Sequence, residues 1–206
     1  MRIASGLPMT GHGHAPGHSL IEVLLVVWVV VVATAAGLAW GGAGLARHRV
    51  DAAARRVASW YSRARVEAAR RGQSVGVRFD EAHGHVRLQL FADAAGDGVR
   101  SSDIDSGLDP PVGPAWCLED DYPGVTYAIG ERLPEIDGSG WLDPGSDAIR
   151  VGSHRVIVFT PYGTASGGTV YLRGRDGAAY AIRVLGATAR TRVVHFDRGT
   201  GLWTLR

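Results

Sequence analysis

The sequence predicts an α+β protein in which a long N-terminal α-helix, membrane half plus amphipathic half, packs on a C-terminal antiparallel β-sheet domain. Three observations carry this. Val23 to Trp40 is an unbroken apolar run without a charge. From Val50 to Ala68 apolar residues recur at three- and four-residue spacing, the mark of one helix face. Beyond Gly72 the period drops to two, and the chain's 29 glycines suit a body rich in turns.

Residues 1–17 read as a leader. MRIASGLPMTGHGHAPG has no apolar core and only Arg2 as a charge, so it is not a standard secretory signal. Residues 18–40 read as a transmembrane or filament-core helix. At 1.5 Å per residue the apolar run spans roughly 27 Å, about the hydrocarbon thickness of a bilayer. Thr34 is its one polar side chain. Glu22 sits at the N-terminal edge, where a carboxylate near lipid is tolerated if it finds a positive partner; mid-helix it would cost about 2.5–3.5 kcal/mol. Cleavage after Gly17 would supply that partner as a new α-amine on His18, acting on the same helix or on a neighbouring subunit.

Residues 41–71 read as the amphipathic continuation of the helix. Gly41-Gly42-Ala43-Gly44 is its weak point, each glycine costing up to about 1 kcal/mol against alanine. Val50, Ala53, Ala54, Val57, Tyr61, Ala64 and Ala68 form a narrow stripe. Arg55, Arg56, Ser59, Ser62, Arg63 and Arg70 fall on the other side, and Gly72 reads as the C-cap.

Residues 72–206 read as the β-rich globular domain. Val75, Val77 and Phe79, then Val86, Leu88 and Leu90, alternate about a turn at His83-Gly84, which predicts a hairpin with one buried face. Residues 92–124 read as a long surface loop, Val125–Ile129 as a short strand, and 134–145 as loop with Trp141 covering an edge. Strands are expected at 155–160, 169–172, 179–185, 192–196 and 202–205, with tight turns that imply antiparallel pairing.

The formal charge of +2 hides strong blocks: residues 47–71 and 148–206 are rich in arginine, and 80–147 hold fifteen acids against three arginines. Such blocks either favour contacts between like subunits or lie on separate faces of one molecule. Cys117 is the sole cysteine, so no disulfide can form within the chain. Arg47, Arg49, Arg55 and Arg56 follow the apolar run against Arg2 before it, which by the positive-inside rule alone would keep the body in the cytoplasm.

Gly17, then His18-Ser19-Leu20-Ile21-Glu22 and the apolar run, resembles the type III signal of type IV pilins and type II secretion pseudopilins. The resemblance implies that a prepilin peptidase cuts after Gly17 and methylates His18, which stands where phenylalanine is usual. It implies that Glu22 pairs with the amine of an adjacent subunit among other pilins or pseudopilins in a filament. Residues 64–75, Ala-Arg-Val-Glu-Ala-Ala-Arg-Arg-Gly-Gln-Ser-Val, and Phe159-Thr160-Pro161-Tyr162-Gly163 are similar to segments of the GspH/FimT branch. The implied role is structural, with a single pass through the inner membrane and the C-terminal domain in the periplasm; the leader decides this orientation over the arginine count. The resemblance leaves the acidic middle of the chain unaccounted for.

Three further groups bear on chemistry. Asp93-Ala94-Ala95-Gly96-Asp97-Gly98 with Asp103 partly fits a calcium loop, but Ala95 and Ile104 fall where oxygen ligands are needed; the alternative is a solvated acidic turn. His12 and His14 lie in the leader, and His83 and His85 share one side of a strand with no third ligand near in sequence. Ala189-Arg190-Thr191-Arg192 resembles the Gly-Arg-x-Arg element associated with DNA binding in FimT-type minor pilins, with alanine for the glycine. Alternation sets Arg190 and Arg192 on one strand face, where they reach successive phosphates or serve as a solvated edge, and Arg183 and Arg198 are candidates to extend the patch. No catalytic order of residues or nucleotide loop is found, and no enzyme is expected.

Overall fold

The computed structural model describes residues 19–205 apart from His83 and Ser153, with the helical backbone but not the side chains of 35–46. The leader and His18 lie outside the described residues. The first element, α1, runs Leu20–Arg71 over 52 residues. The chain divides into two compact units, the second of them Ala43–Arg206. That boundary falls inside the glycine-rich segment expected to be weakest, although the assigned helix continues through it.

In the second unit, Val50, Ala53, Ala54, Val57, Tyr61, Ala64 and Ala68 are each 1% exposed or less. This is the stripe that the spacing predicts, and its alanines let a flat sheet approach the helix axis closely. Trp60 joins it and stacks on Trp116 at 5.9 Å between ring centroids. Arg56 and Arg63 lie over the two indoles, 5.7 and 5.6 Å from the ring centres. Gly72 ends the helix in the left-handed conformation, φ +65°.

The strands are β1 (Val75–Ala82), β2 (His85–Ala92), β3 (Trp116–Cys117), β4 (Val125–Thr126), β5 (Leu133–Pro134), β6 (Trp141–Leu142), β7 (Ile149–Arg150), β8 (Val156–Phe159), β9 (Gly168–Gly174), β10 (Ala179–Leu185), β11 (Arg190–Asp197) and β12 (Leu202–Leu205). Among the described residues two short α-helices, α2 (Ser101–Asp105) and α3 (Leu118–Asp121), and a 3-10 turn at Gly186–Thr188 interrupt them. Every pairing among the described residues is antiparallel. One sheet has the order β3-β2-β1-β8; a second has β12-β11-β10-β9-β4, with β7 also on β9; β5 and β6 form a separate ribbon.

Side-chain alternation sorts both sheets into two faces. Val75, Val77, Phe79, Leu88 and Leu90 of the first, with Val170, Leu172, Tyr180, Ile182 and Val184 of the second, meet the helix stripe in one core. The opposite faces are covered too, and this corrects the reading of 92–124 and 134–145 as surface loops. Val99 packs with Phe91 and Val156 on the outer side of the first sheet. Ile129, Leu133, Leu142 and Ala148 cover Tyr171, Ala179, Ala181 and Val194 on the outer side of the second. The strand expected at 125–129 is only Val125–Thr126, because Ile129 turns into this outer cluster. Trp141, expected to cover an edge, is itself a residue of β6 paired with Pro134, 60% exposed, with Arg132 over its ring at 5.0 Å.

The acidic middle is therefore a second layer, and its carboxylates meet the C-terminal arginines inside one molecule. Glu131 pairs with Arg198 at 2.8 Å, Glu135 with Arg150 at 3.0 Å, Asp147 with Arg155 at 3.3 Å, and Asp137 with Arg183 at 3.8 Å. The acidic block and the C-terminal arginines are thus in part partners within the domain, whereas arginines of α1 pair with Asp51 and Glu67 of the helix itself.

Candidate functional site

The helix opens at Ser19, whose carbonyl accepts the amide protons of Glu22 at 2.9 Å and Val23 at 3.2 Å. Glu22 thus stands in the first turn, where the positive end of the helix dipole favours a carboxylate. Ser19-x-x-Glu22 also has the spacing of a capping box, a local reason for glutamate that the membrane argument missed. Around it the helix is apolar and exposed on all sides: Leu20 78%, Ile21 73%, Leu24 60%, Trp28 67%, and still 47% at Val32. A helix apolar all round is stable only when lipid or other helices cover it. Among the described residues no helix is long and apolar enough to cross a membrane. The side chains of 35–40, which complete the apolar run, lie outside the described residues, as do Gly17 and the His18 amine.

At the other end of the chain, Arg190 and Arg192 are both exposed at alternate positions of β11. Arg192 lies directly across from Arg183, and Arg190 from Leu185. The three arginines share the outer face, beside a groove of about 310 Å³ that Trp203 and Ile136 help to line. Arg198 does not extend this patch. It sits past the far end of β11 and is held by Glu131 and by the Gly177 carbonyl at 2.7 Å. Among the described residues neither Arg190 nor Arg192 has an ion-pair partner. Ala189, which stands in the place of a glycine, is left-handed at φ 48°, and that geometry explains why glycine suits the position.

The acidic residues of the expected calcium loop do not converge. Both carboxylate oxygens of buried Asp93 accept backbone amides, from Gly96 at 2.6 Å and Gly98 at 2.9 Å. Asp97 pairs with Arg100 at 2.7 Å, and Asp103 accepts the Ser102 hydroxyl at 3.1 Å. The loop closes on itself through these bonds, and its three acids each have a partner within it. The fold instead supplies what His85 lacked in sequence: pairing of β2 with β3 brings Cys117 and Glu119 to it. Burial, and then the hydrogen bond to Glu119, push the Cys117 thiol above its ordinary range.

A long N-terminal helix whose second half lies under antiparallel sheets, and whose first half offers a bare apolar surface, defines a pilin-like class of subunit. The chain belongs to the GspH family: the family model described as type II transport protein GspH matches residues 53–189. The match takes in both similar segments and the acidic middle. It leaves Glu22 outside at one end and Arg190 and Arg192 at the other. No curated protein and no solved structure matches the chain. Membership gives the protein a role related to type II secretion and pilins, within a family of structural pseudopilins rather than enzymes.

Proposed function

We propose that the chain is a minor pseudopilin, a structural subunit of a type II secretion pseudopilus that serves protein export and is assembled through its N-terminal helix. The observation that supports this best is the all-round exposure of Leu20 to Val32 with one carboxylate, Glu22, in the first turn. Exposed apolar area costs about 25 cal/mol per Å², so this surface is driven first into the inner membrane and then against the helices of neighbouring subunits. A prepilin peptidase cuts after Gly17, and the His18 amine of one subunit answers Glu22 of another. One buried charge satisfied at a single offset sets the register. The β domain faces the periplasm and meets other minor subunits.

Glu22→Ala tests this. Insertion should be unchanged, because an apolar helix only gains from losing a charge, while incorporation into sheared pseudopili, followed by immunoblot, should be lost. Normal incorporation would overturn the reading and leave an anchored domain that does not polymerise. A C-terminal phosphatase fusion should be active; an inactive one would put the domain in the cytoplasm.

A second reading is a FimT-like minor pilin of a type IV pilus that binds DNA for uptake. Arg190 and Arg192, exposed beside the groove lined by Trp203, favour it, since arginines with an aromatic ring suit phosphates and bases. DNA retardation lost in Arg190→Ala plus Arg192→Ala would support that reading; retardation unchanged by the pair would exclude this edge.

A further inference from the structure

His85 is the first residue of β2, Cys117 the last of β3, and Glu119 lies in the first turn of α3. Cys117 sits opposite Arg87, two residues along from His85 on the same face, so the imidazole and the thiol are diagonal neighbours across the strand pair. The Cys117 thiol donates to Glu119 Oε2 at 3.2 Å, and His85 Nδ1 lies 4.0 Å from that same oxygen. The three ligand atoms all lie within 4.8 Å of one another. Among the described residues no other group of His, Cys, Asp and Glu is so placed.

We propose that His85, Cys117 and Glu119 form a binding site for a borderline-soft divalent cation, best fitted by Zn²⁺. Bond lengths of about 2.0–2.3 Å put the ligand atoms of a tetrahedral site about 3.3–3.6 Å apart. The carboxylate and thiol, 3.2 Å apart, already lie close to that spacing. The His85 side chain is 57% exposed, so it can swing in by the remaining distance. Thiolate, imidazole and carboxylate suit zinc and its neighbours and not calcium or magnesium, which take oxygen alone. A thiolate and a carboxylate also neutralise a divalent ion, the thiol proton leaving to solvent on binding. Three protein ligands leave a fourth position for water. The ion would staple β3 and α3, a short segment that no disulfide can hold, to the start of β2.

The test uses the full chain in detergent, reduced and freed of metal, then titrated with Co²⁺ and Zn²⁺. His12, His14 and His18 could also hold metal, but only Cys117 can give a thiolate-to-cobalt charge-transfer band. One Co²⁺ per chain should develop that band, and Zn²⁺ should bleach it. Cys117→Ser should abolish it, while His85→Ala and Glu119→Gln should weaken affinity at least tenfold. Zn²⁺ should raise the melting temperature of the unmodified chain and not that of Cys117→Ser. Absence of the band would overturn the site, as would a band unchanged by His85→Ala and Glu119→Gln. Recovery of the chain as a reductant-sensitive dimer through Cys117 would overturn it as well.

Discussion

Val99 packs over Gly76 so closely that a β-carbon on the glycine would stand 2.7 Å from Val99 Cγ1 and 2.9 Å from Val156 Cγ1. Gly76 is therefore required by space, not by backbone conformation. Gly76→Ala should lower stability by about 1–3 kcal/mol, the usual cost of overpacking. Much of that loss should be absent when the substitution is made in a Val99→Ala background. Urea denaturation of the four chains measures the coupling, and strict additivity would contradict the contact.

That contact also marks what the sequence could and could not convey. Strong local periodicity survived folding: the helix stripe from Val50 to Ala68, the turn between Ala82 and His85, and strands Ala179–Leu185 and Leu202–Leu205 all stand where spacing sets them. The middle of the chain has no period because its apolar residues, Val99, Ile129, Leu133 and Leu142, arrive one at a time from irregular backbone. Lone apolar residues among Asp and Gly look like loop until the sheets they cover are known. The charge pairs were hidden for the same reason, since Asp137 and Arg183 are brought together only by tertiary structure. So were Cys117 and Glu119 beside His85, because strand register is a long-range property. The capping-box spacing at Ser19 and Glu22, by contrast, was there to be read.

The Tyr61 hydroxyl is fully buried between Phe79 and Phe159 and has no hydrogen-bond partner among the described residues. Burial alone pushes its titration far above the ordinary tyrosine range. An unsatisfied buried hydroxyl costs about 1–3 kcal/mol. Tyr61→Phe, which keeps the ring, should leave stability unchanged or raise it by about 1 kcal/mol. A clear loss on thermal unfolding would mean that the hydroxyl has a partner.

Asp93 holds two amides of its own loop, so its role is structural without any ion. Asp93→Ala should cost about 1–3 kcal/mol in the presence of a chelator, for the loss of two hydrogen bonds to a charged acceptor. Denaturation in EDTA checks this. A variant as stable as the parent in chelator but weaker in calcium would instead favour the cation.

Glu67 accepts from Arg70 at 2.7 Å and Arg71 at 2.6 Å at the end of α1, and the Arg70 hydrogen bond, then that of Arg71, hold its carboxyl down at about 2 from an ordinary 4.5. Because the folded value is the lower one, the stabilisation is complete above pH 4.5 and fades as pH falls from there towards 2. The arginines are solvent-facing, so the effect is a small part of the total. Glu67→Gln should flatten the acid limb of the stability curve in that window and leave it unchanged above. An equal slope in both chains would contradict the pairing.

Intact-mass measurement of the membrane-extracted protein tests the assembly role most directly. The expected mass is that of a chain beginning at His18 and carrying one N-terminal methyl group, which is the form able to answer Glu22. A mass that still includes Met1 would contradict it.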